Sequence, residues 1–183
     1  MTTHFYLNDM DFIENFTIPF YTIQIDDWSI KKQKLLKICD SSRLTNNDDI
    51  SKVYTDFFTD RNYSNQVYEI LSDDISKFSN KVKITLELNS IWFQKYIKGN
   101  FHSPHDHGAR GYSSICFIDY DENEHNPPRF ICPFKSVYGG FVEYTPDNVV
   151  EGTMIFFPSM LLHYVLPTTS DKVRTIMSMN FGI

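Results

Sequence analysis

The spacing of apolar residues changes once along this chain, and the change divides it in two. Up to about residue 80 the period is helical. Trp28, Leu35 and Ile38 fall on roughly one face of a segment that Asp26 or Asp27 can cap, and Val67, Leu71, Ile75 and Phe78 recur at helical spacing between Ser64 and Phe78. A polar loop, Ser41 to Asp49, lies between them. From Val82 the period becomes two. Val82, Ile84, Leu86 and Leu88 alternate with Lys83, Thr85 and Glu87, the pattern of a half-buried strand, and Ile91 to Ile97 predicts a second strand after a turn at Asn89-Ser90. Further strands are predicted at Tyr112 to Ile118, Phe130 to Phe134, Phe141 to Tyr144, Thr153 to Phe157 and Val173 to Phe181. Gly99-Asn100, Asn126-Pro127-Pro128, Gly139-Gly140 and Pro146-Asp147-Asn148 supply the turn chemistry between them.

Many short strands joined by such turns predict a mainly β fold, a double-stranded β-helix (jelly roll) with the N-terminal helices packed outside it, α+β overall. At 183 residues the length suits a single domain, with a helical flank over residues 1–80 and the roll over 81–183. No internal repeat or linker interrupts it.

Charge and cysteine usage narrow the partners. A net charge of −6 with scattered Lys and Arg offers no basic stripe, which argues against bulk nucleic-acid binding. Cys39, Cys116 and Cys132 are odd in number and far apart, so reduced thiols in a cytoplasmic protein are the simplest expectation. Met1 to Phe12 has neither the basic start nor the apolar run of an export signal, and the most apolar later stretch, Met154 to Leu166, is broken by Pro158 and His163, so no membrane association is expected. Nothing in the sequence sets an oligomeric state.

The chemistry concentrates in the histidines. Of six, three lie within six residues, in Phe101-His102-Ser103-Pro104-His105-Asp106-His107-Gly108. Residues two apart on an extended strand point the same way, so His105 and His107 can present two imidazoles to one metal ion. His163 follows the apolar run Met154-Ile155-Phe156-Phe157-Pro158, where a buried strand would end and a side chain could reach the mouth of a barrel. Arg174 comes eleven positions later, on a strand whose even-numbered residues share a face. An inward arginine is costly to bury unless it meets an anion, and its planar fork suits a carboxylate. His102 and His125 fall outside this set, His125 in an acidic, proline-bearing loop, Asp119 to Arg129, that reads as a mobile surface connection able to cover a substrate.

The stretch Tyr96-Ile97-Lys98-Gly99-Asn100-Phe101-His102-Ser103-Pro104-His105-Asp106-His107 resembles the Y-x-x-G-x-x-Y-x-x-H-x-D segment of the prolyl-hydroxylase-like branch of the 2-oxoglutarate and Fe(II)-dependent oxygenases, with Tyr96, Gly99 and His105 in register. Gly152 through Pro158 to His163 and Arg174 resembles the same superfamily's distal histidine strand and the basic residue beyond it. Tyr112 to Ile118 is similar to the strand after the first ligand in small microbial and phage members. The resemblance spans roughly residues 90 to 182. It implies a dioxygenase with Fe(II) as cofactor and 2-oxoglutarate as co-substrate, iron held by His105 and His163, and the distal carboxylate gripped by Arg174 with help from Tyr96. The implied substrate is a small molecule or a peptidyl side chain, most often hydroxylated.

The family's third ligand, an acidic residue two positions after the first histidine, is here His107. Three arrangements follow: His107 as ligand, Asp106 reaching the metal through a bulge, or two histidines completed by water. Parity with His105 favours His107. Two other functions compete. The spacings Gly99-x5-His105-x-His107 and Gly152-x5-Pro158-x4-His163 also resemble those of cupins, some of which are three-histidine dioxygenases or isomerases, although the cupin glutamate is replaced by Gly111 or Tyr112. The missing carboxylate would equally suit a non-catalytic binding protein on the same roll.

Overall fold

A computed structural model describes residues 17–47 and 51–183. In chain order the elements are β1 (Tyr21–Gln24), α1 (Trp28–Ser41), β2 (Thr45–Asn47), β3 (Val53–Thr55), α2 (Ser64–Val82), β4 (Glu87–Tyr96), β5 (His102–His105), β6 (Tyr112–Asp119), β7 (Arg129–Lys135), β8 (Phe141–Tyr144), β9 (Thr153–Pro158), β10 (His163–Val165) and β11 (Arg174–Gly182). They form an antiparallel seven-stranded sheet, ordered β1-β9-β6-β11-β4-β3-β2, and a four-stranded sheet, ordered β5-β10-β7-β8. The fold is the expected jelly roll with two flanking helices.

The central strands β4, β6, β9 and β11 are largely buried on both faces, so bulky apolar residues occupy neighbouring positions and polar residues among them are buried too. Phe93, Cys116, Met154, Phe156, Met177 and Phe181 point to the helices and pack with Leu35, Val67, Leu71 and Phe78. Tyr96, Phe117, Ile155, Phe157 and Ile176 point into the roll and pack with Phe130 and Val165 of the smaller sheet. The buried positions of α2, Val67, Leu71, Asp74, Ile75 and Phe78, form one stripe as expected. Asp74, fully buried, anchors that stripe to α1: it accepts from Lys31 at 2.6 Å, from Lys77 at 3.3 Å and from the Asp26 backbone at 3.2 Å.

Several local expectations change. Helix α2 runs on to Val82 and stops at Lys83, which adopts φ 57° and donates its N–H to Ser79, so the alternation read as a strand from Val82 begins as helix. Strand β4 passes straight through Asn89-Ser90, and the irregularity there is a register shift opposite Asn180 and Phe181 rather than a turn. Asp27 holds the N-cap position of α1 without a side-chain cap bond, while Asp26 pairs with Lys77. The first 80 residues also contribute β1, β2 and β3 to the sheet, β2 within the loop expected at 41–49. The last two positions of that loop, 48–49, and the Met1 to Phe12 segment lie outside the described residues. Among the described residues all three cysteines are free thiols, and no helix is long and apolar enough to cross a membrane.

Candidate metal centre

Strand pairing builds the centre. β10 lies antiparallel between β5 and β7, with His163 directly opposite His105 on one side and Phe130 on the other. Opposed residues share a face of the sheet, so the two imidazoles meet, with ring centroids 4.3 Å apart. β5 is an edge strand, which is how Pro104 is tolerated inside it. The strand ends at His105, but the chain stays close to the loop after β9: the His107 N–H donates to the Ser159 carbonyl at 2.8 Å. That bond turns the His107 ring to within 5.1 Å of both His105 and His163.

His105, His107 and His163 each offer a nitrogen, all within 4.8 Å of one another. A metal with Zn–N-like bonds of about 2.1 Å holds adjacent ligand atoms roughly 3 Å apart, so the imidazoles close in slightly around an ion. Asp106 is exposed, accepts from the Gly108 N–H and, among the described residues, contributes no oxygen to the cluster of three nitrogens.

The tautomers suit coordination. His105 Nδ1 lies 2.7 Å from the Ser103 carbonyl and His163 Nδ1 lies 2.9 Å from the Leu161 carbonyl. A carbonyl only accepts, so both rings donate from Nδ1 and leave the Nε2 lone pair for a metal. Burial, reinforced by repulsion among the rings, pushes the His107 pKa down to about 4 and that of His163 well below its ordinary value. Burial also lowers His105. All three are therefore neutral at pH 7, the state that binds metal. Phe130 and Phe157 back His163, which is 3% exposed, and keep water from that side.

His102 is tied differently. Ser178 Oγ donates to Gln94 Oε1 at 3.0 Å, so the Gln94 amide nitrogen faces His102 Nδ1 at 3.2 Å and donates to it. Nδ1 is thus an acceptor, opposite to His105 and His163, and the ring stacks on His105 at 4.0 Å. Gln94 and Ser178 carried no sequence signal beyond their even-numbered places on the inward faces of β4 and β11.

Arg174 starts β11 directly opposite Tyr96 at the end of β4. It is 1% exposed, its guanidinium lies 4.8 Å from the Tyr96 ring centre, and Nη1 donates to the Asn126 carbonyl at 3.0 Å. Nε and Nη2 are buried without a hydrogen-bond partner among the described residues. Burial alone pushes its pKa down and that of Tyr96 up to about 12. A desolvated cation with two unused donors could hold an anion, and a carboxylate matches the fork. The Tyr96 hydroxyl is 3.5 Å from His102 Nδ1, so Tyr96 and His102 bridge from Arg174 to His105. The cavity enclosed here by Trp92, Tyr96, His102 and the imidazoles is only about 10 Å³, room for a water, so any larger ligand enters with side chains displaced.

The loop after β6 is not the free connection expected. His125 is buried, accepts from the Asp121 N–H at 3.0 Å and donates to the Lys172 carbonyl at 3.1 Å, while Tyr120 donates to the His125 carbonyl at 2.8 Å. This latch holds Asn126 where Arg174 needs its carbonyl.

The fold is shared with solved 2-oxoglutarate oxygenases. A prolyl-4-hydroxylase from Pseudomonas putida is similar with a TM-score of 0.63 at 14% identity, over 91% of this chain and 93% of that one. An oxidoreductase of the 2OG-Fe(II) oxygenase family from Burkholderia pseudomallei gives a TM-score of 0.67 at 12% identity, covering 88% and 85%. HygX from Streptomyces hygroscopicus, solved with nickel and 2-oxoglutarate bound, gives 0.63 at 11% identity, covering 91% and 83%. At these identities the likeness is one of fold, and it takes in the helical flank that the sequence resemblance did not reach. No protein-family model matches the sequence, and no curated protein matches it either.

Proposed function

We propose that this chain is a 2-oxoglutarate- and Fe(II)-dependent dioxygenase that hydroxylates a small-molecule or peptidyl substrate, with iron held by His105, His107 and His163. Bound iron, 2-oxoglutarate and oxygen supply the chemistry: one oxygen atom enters a C–H bond and the other enters succinate as carbon dioxide leaves. The observation that carries the reading is Arg174, an almost fully buried cation with two nitrogens unpartnered among the described residues, linked through Tyr96 and His102 to the histidine cluster. A metal alone gives such a group no purpose; a dicarboxylate that spans from metal to arginine does.

In this reading the chain's own residues do three things. The Nδ1–H bonds of His105 and His163 fix the ring orientations, so the ligand nitrogens need little reorganisation. Arg174, stacked on Tyr96, takes the distal carboxylate with Nε and Nη2. His102, hydrogen-bonded by Gln94, gives way as the co-substrate enters, because the closed cavity is too small for it. Three neutral imidazoles leave the ion one unit more positive than the family's usual set, which favours a dianionic co-substrate.

Calorimetry with Mn(II) in place of iron, without oxygen, tests this directly. The wild type binds 2-oxoglutarate at millimolar concentration or below, and Arg174→Ala weakens it about ten- to a hundredfold while leaving Mn(II) affinity nearly unchanged. Failure of the wild type to bind it favours the second reading, a cupin-like three-histidine dioxygenase, whose support is the all-histidine set itself.

A further inference from the structure

A file of aromatic rings runs from the metal centre to solvent. The Trp92 ring lies 5.5 Å from His107, Phe57 packs edge-on against Trp92 at 5.0 Å, and Phe58 packs edge-on against Phe57 at 5.0 Å. Exposure rises along it, from 4% at Trp92 to 41% at Phe57 and 69% at Phe58. These rings border a cavity of about 240 Å³ that also touches His105 and His107. Large side chains left open beside a concave, mostly apolar space are what a ligand covers. The volume is below that of pockets that enclose a drug-sized molecule, roughly 300–1,000 Å³, and fits one or two fused rings with the rest of the molecule outside.

Charge argues for a neutral occupant. The imidazoles on the cavity wall are neutral, and Asp106 beside them disfavours an anion in the part of the cavity away from the metal. The Arg61 guanidinium already lies 5.2 Å from the centre of the Phe57 ring, so a cation drawn to that wall meets a like charge.

We propose that this pocket receives a flat, uncharged aromatic ring of the substrate, packed against Trp92 and covered by Phe57 and Phe58, which brings a carbon attached to that ring to the three-histidine centre. The inference rests on His105, His107 and His163 being the reaction centre. It assigns substrate selection to the segment between β3 and α2, which carries Phe57 and Phe58 and no metal-ligating residue.

The test uses the full chain, without oxygen, and three probes of one shape, naphthol, naphthoate and naphthylmethylammonium, whose affinities are ranked before metal is added, so that no carboxylate ligates an ion, and naphthol is then followed with Mn(II) bound. Naphthol binds tightest, Mn(II) broadens its proton resonances where Zn(II) does not, and Phe58→Ala weakens it about two- to tenfold. Phe58 is mostly exposed, so that variant folds; Phe57→Leu serves as a second, with the same direction expected. Absence of naphthol binding, tighter binding of either charged probe, or naphthol affinity unchanged in both variants overturns the proposal. A parallel 2-oxoglutarate titration separates the two readings. Protein that takes 2-oxoglutarate but not naphthol loses only the aromatic pocket, and protein that takes naphthol near the metal but not 2-oxoglutarate keeps the pocket and loses the oxygenase.

Discussion

The same four strands, β4, β6, β9 and β11, build both faces of the long sheet, and the faces are put to different uses. The face toward the helices is filled by Phe93, Cys116, Met154, Phe156, Met177 and Phe181, and its charged residue Lys95 lies at the margin, paired with Asp40 of α1. The face toward the roll alternates apolar residues with Gln94, Tyr96, Arg174 and Ser178, whose polar atoms converge on the histidines. Neighbouring residues on one strand therefore answer to different physics: close packing on one side, satisfied or deliberately unsatisfied polar groups on the other. Substitutions that separate stability from ligand binding are the way to test that division.

The largest effect falls on the helix side. Phe156 is fully buried and stacks on Phe78 at 4.0 Å, so Phe156→Ala lowers unfolding free energy by about 3–5 kcal/mol, measured by urea denaturation, while the folded fraction keeps its metal affinity. An equal loss of metal affinity would erase the distinction between the faces. Next comes His163→Ala, in which the metal affinity read by anaerobic titration falls about a hundredfold or more, beyond the loss usual for a residue that only orients a ligand. Undiminished affinity would put the centre elsewhere.

Arg174→Leu sharpens the comparison most, because its two readouts move in opposite senses. Removing a buried cation with two unpartnered nitrogens raises stability by about 1 kcal/mol or more, whereas 2-oxoglutarate binding falls about ten- to a hundredfold. A core residue of the other face cannot behave so. The smallest effect belongs to Asp106→Ala, which leaves metal affinity within about twofold and stability within about 0.5 kcal/mol, since the carboxylate is exposed and bonds only the Gly108 N–H among the contacts seen. A large loss of metal in that variant, with retention in His107→Ala, would reverse the roles of the two residues.

The division of faces also explains what the sequence made legible. The runs Ile91 to Ile97 and Tyr112 to Ile118 placed central strands because both faces are buried and many of their residues are bulky. The clustering of His105 and His107, with His163 after the apolar run, anticipated three nitrogens that the fold brings together, and the place of Arg174 on its strand anticipated its burial. Local signals failed where tertiary contacts decide. Val82 belongs to a helix because the preceding turns already pack on the sheet, and Lys83 stops it by a backbone conformation that a lysine does not advertise. β1 and β3 are short strands whose pairing partners β9 and β4 lie far along the chain, and β2 is a three-residue edge strand added on β3. The Ser159 carbonyl that turns His107 and the Asn126 carbonyl that meets Arg174 are backbone atoms, and no side-chain pattern announces them. Gly152 is a related case: at φ +82° it brings the chain so close to α1 that an added Cβ would lie 2.7 Å from the Trp28 ring.

Strand β11 stands in the middle of the long sheet, between β6 and β4, although it follows both by more than fifty residues of chain order and is made after them. During translation β4 and β6 emerge with their inner edges unpaired and wait for residues Arg174–Gly182 to leave the ribosome, several seconds at roughly 5–20 residues per second. The nascent sheet cannot close hairpin by hairpin, and its folding is slow for the size of the protein because nearly every pairing spans a long loop. A ribosome stalled before Arg174 would hold a chain with two open, strongly apolar strand edges, the form most exposed to chaperones and to aggregation.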